Sequence, residues 1–221
     1  FGHLGIFPEQ RASWRLIAGI IGAARAASPG APPPRLLNLF AYSGGATLAA
    51  ARAGAAVCHL DASAGMVAWA RANAALNGLE EAPVRWIVDD VRKFLKREVR
   101  RGSRYEGIVL DPPTFGRGVA GEVYKIERDL PSTLGLCRRL LADRPLFVLL
   151  SAHTPGITPV VLENLLAEAL AGLEGHIAGG EMLLTGAAEA RPVPSGCMAC
   201  WRAAAAGGGE TAAGREDRQE P

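Results

Sequence analysis

The chain has 221 residues, 49% of them apolar, and a formal net charge of +2. That is enough apolar matter for one well-buried domain, and it argues against a second full one. No apolar run approaches the roughly 20 residues of a membrane span, and no signal peptide is visible. The four cysteines, Cys58, Cys137, Cys197 and Cys200, are irregularly spaced, which suits reduced thiols and a cytoplasmic setting better than a disulfide framework. Residues 204–221 hold two arginines and four acids, so the remainder is mildly basic at +4, which permits nucleic acid as a partner without indicating it. The first residue is Phe1 rather than Met, so an upstream segment is expected.

In chain order, residues 9–27 read as a helix, because Trp14, Ile17, Ile20, Ile21 and Ala24 fall at helical spacing. Ser28-Pro29-Gly30 and Pro32-Pro33-Pro34 break it. Strand and helix then alternate. Residues 36–40 form a strand, followed by the Ser43-Gly44-Gly45 turn and a helix over 46–53. A second strand, 56–60, ends at Asp61, and a helix over 64–76 closes on Asn77-Gly78. A third, 84–88, ends at Asp89-Asp90, with a helix over 91–101. The fourth, 106–110, ends at Asp111-Pro112-Pro113; the helix after it spans 126–142, with Pro131 expected to disturb its start. A fifth strand, 146–150, leads to a helix over 158–173, and residues 181–185 and 197–203 complete the set as two last strands.

The short apolar strands show little alternation, as in a sheet covered on both faces. The rhythm predicts an α/β, Rossmann-like fold with a mostly parallel seven-stranded sheet and an antiparallel edge. Residues 1–30 are expected to be a helical segment packing on the core, 31–203 the ligand-binding domain, and 204–221 a disordered tail.

In such a sheet, ligands bind beyond the carboxyl ends of the strands. Those ends hold Phe40-Ala41-Tyr42-Ser43-Gly44-Gly45, then Asp61, then Asp89-Asp90, then Asp111-Pro112-Pro113-Thr114-Phe115. The two glycines let the backbone approach a ligand, and the following helix directs free N–H groups at an anionic end. Asp61 can accept both hydroxyls of a ribose; capping the next helix is its competing role. Asp89 or Asp90 can accept an adenine amino group with Val91 against the ring, while the other caps a helix, Asp90 being the better placed for the cap. The Asp-Pro-Pro turn is rigid and rich in acceptors, so it can hold an amino group in line with a methyl donor, and Phe115 can stack on a planar base.

Taken together, these residues resemble the class I methyltransferases that use S-adenosylmethionine. More closely they resemble bacterial ribosomal RNA methyltransferases acting on large-subunit cytosine C5 or guanine N7. The matching stretches are Gly5-Ile6-Phe7-Pro8-Glu9-Gln10-Arg11, the run Leu37 to Gly45, His59-Leu60-Asp61-Ala62-Ser63, and Asp111 to Phe115. The resemblance implies S-adenosylmethionine as cofactor and RNA as partner. Phe40, Ala41, Tyr42, Ser43, Gly44 and Gly45 would surround the methionine part. Asp61, with Ala62 and Ser63, would hold the ribose, and Asp89 or Asp90 with Val91 the adenine. Gln10 would close over the cofactor. Asp111, Pro112, Pro113 and Phe115 would form the transfer site, Asp111 orienting the target amine or accepting its proton. Cytosine C5 chemistry needs a cysteine nucleophile, yet the fifth strand is followed by Ser151-Ala152-His153, where C5 enzymes resemble Ser-Cys-Ser. A base nitrogen is therefore the first expectation, cytosine C5 the second, and a small-molecule or protein acceptor the third. A dinucleotide-dependent oxidoreductase fits Asp61 but lacks G-x-G-x-x-G; a non-catalytic cofactor- or RNA-binding module is a further reading.

Four features stand beside this core. His153 faces the expected site as a base or hydrogen-bond donor, or as an ordinary loop histidine. Arg117 and Lys125 are candidate phosphate contacts, with solvated surface charge as the plainer role. Arg92, Lys93, Lys96, Arg97, Arg100, Arg101 and Arg104 form a basic cluster, only part of which can face RNA. Cys197-x-x-Cys200 lacks a second ligand pair and, three apart on a strand, should place buried thiols on opposite faces.

Overall fold

Residues 5–118, 121–187 and 190–204 are described by the computed structural model. A turn of 3-10 helix at Pro8–Gln10 leads into α1, Arg11–Ala27, which buries Ile17, Ile20 and Ile21 at helical spacing. The prolines that follow end α1 and deliver the chain to β1, Arg35–Leu39. After it come α2 (Gly45–Arg52), β2 (Ala56–Asp61), α3 (Ala64–Leu76), β3 (Val84–Val88), α4 (Val91–Arg100) and β4 (Gly107–Leu110). A two-stranded hairpin of β5 (Phe115–Arg117) and β6 (Val123–Lys125) precedes α5 (Ile126–Leu140), β7 (Phe147–Ala152), α6 (Pro159–Ala169), β8 (Gly175–Leu184) and β9 (Val193–Ala203). Among the described residues no helix is long and apolar enough to cross a membrane.

The main sheet has seven strands in the order β3-β2-β1-β4-β7-β9-β8. The first five are parallel, and β9 runs antiparallel to both β7 and β8, giving the expected antiparallel edge. The reversed strand is inserted one place in from that edge. Period-two alternation divides the core into two layers. Leu36, Val57, Val109, Phe147 and Leu149 face α1 and α2, while Leu37, Leu60, Ile108, Val148 and Leu150 face α4, α5 and α6. Burial on both faces explains the continuous apolar strands. Cys197 and Cys200 fall in opposite layers and both are buried. The chain order reverses between the adjacent strands β1 and β4, which opens a crevice at their carboxyl ends.

Two elements differ from the sequence reading. The last strands are much longer than 181–185 and 197–203: only Met182 of β8 is buried, so its glycine-rich first half carries no apolar signal and is held by pairing with β9. The β5–β6 hairpin was not expected, because three-residue strands around Gly116 and Gly118 show no period. Pro131 lies inside α5 and the helix runs through it. The expected tail lies, from residue 205 onward, outside the described residues.

A buried polar triad locks β1, α2 and β2 together under the first loop. Asn38 Nδ2 donates to Thr47 Oγ1 at 2.9 Å, and Thr47 Oγ1 lies 2.9 Å from His59 Nδ1. His59 is fully buried, and burial pushes its pKa down from 6.5 to about 4. The folded imidazole is therefore neutral where the unfolded one takes a proton. Stability from this site is complete above pH 6.5 and is lost as pH falls toward about 4. Urea unfolding should show a loss on the order of 2–3 kcal/mol between neutral pH and pH ~4.5, and much of that loss should vanish in His59→Gln. Equal acid sensitivity in the two proteins would refute it.

Candidate active site

The carboxyl ends of β1, β2, β3 and β4 converge on one rim, with two adjoining cavities whose walls share Phe7, Phe40, Tyr42 and Asp111. The first, about 400 Å³, is lined by Asp61, Ala62, Ser63, Asp90, Val91 and the whole stretch from Asp111 to Gly118. The second, about 560 Å³, runs toward α1 and α2 and takes in Gln10, Ala41, Ser43 and Gly45. Together they have the size and the mixed lining of a small-molecule site. Of the expected site residues, Gly44 and Asp89 line neither.

The loop after β1 is wound unusually. Phe40, Tyr42 and Gly44 all have left-handed backbone, with φ of 56°, 48° and 96°. Such angles suit glycine; at two aromatic residues they cost on the order of 1–3 kcal/mol each and persist only when surroundings enforce them. Here Ala41 N donates to Leu60 O at 3.0 Å, Tyr42 N to an Asp61 oxygen at 2.9 Å, and Asn73 Nδ2 to Ser43 O at 2.9 Å. Phe7 leans on Tyr42 with ring centroids 5.4 Å apart, and Phe40 meets Tyr124 edge-on at 5.0 Å. Gly44 is the N-cap of α2 and supplies no side-chain acceptor, so the first-turn amides remain available to an anion. Gly45 is pressed against α1: a Cβ there would come 2.5 Å from the Trp14 ring. Gly45→Val should therefore shift α1, with a stability loss of about 1–3 kcal/mol in urea unfolding; wild-type stability would show that α1 does not set this wall.

Asp61 anchors the loop. Its two oxygens accept from Tyr42 N and Ser63 N, each at 2.9 Å, and burial raises its pKa despite those bonds. The cap of α3 is Ser63, which accepts from Met66 N. Asp61 therefore is not the capping residue.

Asp89 and Asp90 do not share the work as expected. Asp90 alone both caps α4, accepting from Lys93 N at 2.9 Å, and lines the cavity. Asp89 turns away to pair with Arg97. Like residues side by side give the sequence no means of telling them apart; the strand's exit decides.

Asp111 sits at the floor of the crevice. Ser151 Oγ donates to its Oδ1 at 2.7 Å and Gln10 Nε2 to its Oδ2 at 3.1 Å. Loss of surrounding water raises its pKa, opposed by these donors. Pro112 is buried, while Phe115 lines the cavity and is 51% exposed. Thr114 Oγ1 is 2.8 Å from Thr154 Oγ1, which ties this turn to the loop after β7.

The sequence reading missed Phe7, Tyr124 and Ser151 as cavity-lining residues. Each lies on a segment whose proximity only the fold creates, although Phe7 belonged to a matching motif. Arg117 lines the cavity. The basic cluster is largely consumed internally: Arg92 pairs with Asp129, Lys93 with Glu122, Arg97 with Asp89 and Arg101 with Glu98. All four cysteines are buried with raised pKa values, Cys58 to about 11 and Cys200 to about 12, and none lines either cavity.

A doubly wound sheet with acids at successive strand ends, a glycine-bearing first loop and an acceptor-rich fourth defines a nucleoside-binding α/β domain of the class I methyltransferase type. The sequence model for S-adenosylmethionine-dependent methyltransferases matches residues 19–168, and the chain belongs to that family. It is 40% identical over 107 residues to a ribosomal RNA large subunit methyltransferase K/L of Syntrophotalea carbinolica, covering 48% of this chain and 15% of that protein. It is 34% identical over 111 residues to a ribosomal RNA large subunit methyltransferase K of Neisseria meningitidis serogroup B, covering 49% and 31%. A solved structure, the SAM-dependent methyltransferase from Agrobacterium tumefaciens, superposes with a TM-score of 0.85 at 38% identity, over 91% of this chain and 64% of that one. The chain thus spans well under a third of the K/L relative and about two thirds of the structural one.

Proposed function

We propose that this domain transfers the methyl group of S-adenosylmethionine to a nitrogen of a ribosomal RNA base. The observation that carries the reading is the single rim on which Asp61, Asp90-Val91, the Phe40–Gly45 loop and the Asp111–Phe115 turn meet. The two adjoining cavities suit an adenosine joined to an amino acid: acids for the ribose and the adenine amino group in one, uncapped α2 amides for a carboxylate toward the other. Asp61 would accept the ribose hydroxyls, Asp90 the adenine amino group beside Val91, and the loop with Ser43 and Gly45 would hold the methionine part. Gln10 would close the site through its bonds to Asp111 and Ser151.

The bound cofactor supplies an activated methyl on a sulfonium. The protein's part is then alignment and a matched electrostatic environment. Asp111 would orient the attacking nitrogen, the carbonyl of Pro112 would accept from it, and Phe115 would stack on the base. The absence of a thiol from both cavity walls supports nitrogen over cytosine C5, whose chemistry needs a thiolate. The names of the K/L and K relatives support ribosomal RNA as the acceptor.

Calorimetry with S-adenosylhomocysteine and with NAD, followed by transfer of tritiated methyl to deproteinised ribosomal RNA, tests the reading. Binding of the first ligand alone and label on a base nitrogen are the expected results. Preference for NAD would overturn the cofactor assignment, and label on carbon C5 or none at all would overturn the acceptor.

A further inference from the structure

Both oxygens of Asp111 are already engaged, by Ser151 and by Gln10. The cavity holds a second group fit to handle a proton. His153 follows β7, lines the same space as Asp61 and Asp111, and is 34% exposed. Among the described residues, neither of its ring nitrogens lies within hydrogen-bond distance of a protein partner. Its Nε2 is 3.8 Å from Asp111 Oδ1 and its Nδ1 is 3.9 Å from Glu9 Oε1. Glu9 is 6% exposed and is held in place by Ser195 Oγ, which donates to its Oε1 at 3.0 Å. Phe7 braces the ring, with centroids 5.6 Å apart. A histidine facing a ligand space between two carboxylates, one from the N-terminal segment and one from the turn after β4, is placed to take a proton from a bound ligand.

We infer that His153 accepts the proton released when a hydrogen-bearing amino nitrogen is methylated, with Glu9 as the positioning residue behind it. The inference rests on the methyl-transfer reading above and narrows its acceptor. The substrate nitrogen forms its bond to the methyl carbon with its own electron pair. The carbon–sulfur bond breaks as it does so, and that pair stays on sulfur. The nitrogen, now cationic, gives up one hydrogen as a proton to the free ring nitrogen of His153; the N–H electrons return to the substrate nitrogen. Glu9 and Asp111, the titratable groups that face the ring among the described residues, stabilise the charge until the proton leaves through the exposed side to water. A bare ring nitrogen such as guanine N7 has no proton to release, so the acceptor class is an exocyclic amino group or another N–H nitrogen.

The test is single-turnover methylation of deproteinised ribosomal RNA across pH, with the product nucleosides identified by mass spectrometry. His153→Gln should lower the neutral-pH rate about a hundredfold and erase the inflection that the base imposes on the pH–rate profile, while S-adenosylhomocysteine affinity stays within threefold. Glu9→Gln should keep that inflection but move it to lower pH, a shift that a purely structural role would not produce. The methyl should appear on an amino nitrogen. A His153→Gln enzyme within threefold of wild type, or label on N7, overturns the inference. If wild type labels no ribosomal RNA, the acceptor reading fails by itself. The imidazole titration of His153, followed by NMR in the S-adenosylhomocysteine complex, then decides: a midpoint lowered by Glu9→Gln supports the pair, and an unmoved one overturns it.

Discussion

Asp111→Asn is expected to reduce methyl transfer by about two to three orders of magnitude at saturating cofactor, the scale of removing a well-placed polar group from a reaction centre. The substitution keeps the shape of the side chain but replaces one acceptor oxygen with an N–H₂ donor. Two donors, Ser151 Oγ and Gln10 Nε2, now converge on that carboxylate. In the variant one of them must turn away, which loosens Gln10 and with it the N-terminal segment. An amine arriving from the RNA would also meet a weaker acceptor. Binding of S-adenosylhomocysteine should fall far less than the rate, because Asp61 and Asp90 are untouched. Single-turnover rates beside calorimetry separate the two effects. A rate within tenfold of wild type would exclude Asp111 from the transfer step.

Asp61→Ala is expected to weaken S-adenosylhomocysteine binding about a hundredfold. In the proposed placement, two hydrogen bonds from ribose hydroxyls to a charged acceptor, at about 1.5 kcal/mol each, would sum to that factor. A second effect has the same sign: Tyr42 N loses the acceptor that holds its left-handed backbone, so the loop after β1 loosens. Asp61→Asn keeps one acceptor oxygen and should sit between wild type and alanine. The fold should lose part of its stability as well, because Tyr42 N is left without its acceptor, a loss offset in part because burial disfavours the Asp61 charge. Affinity for adenosine alone should drop by a similar factor. Unchanged adenosine affinity in Asp61→Ala would remove Asp61 from the ribose contact.

The four strand ends were legible because each carries residue types with few uses in a turn: paired glycines, lone acids, and a double proline. The two buried cysteines of β9 were equally legible, since a strand puts positions three apart on opposite faces. Other features followed no local rule. Aromatic side chains disfavour left-handed backbone, so nothing in Phe40 or Tyr42 announces it; Phe7, Tyr124 and the Asp61 carboxylate impose it from distant positions. The β5–β6 hairpin is too short to show a period, yet it supplies Phe115 and Arg117 to the cavity wall. The basic run on α4 looks like a surface for phosphate in one dimension. In three, Asp129, Glu122, Asp89 and Glu98 neutralise much of it.

By itself the sequence determined the order along the chain of the helices and the main-sheet strands, the parallel character of that sheet and the chemistry delivered to each strand end. These depend on apolar periodicity and on backbone preferences that act within a few residues. The tertiary structure alone decided that Asp90 and not Asp89 enters the cavity, that Glu9 and Asp111 flank His153, and that the first loop is wound left-handed. Those outcomes turn on contacts between segments far apart in the chain, up to 186 residues in the Glu9–Ser195 bond, where packing and burial override local preference.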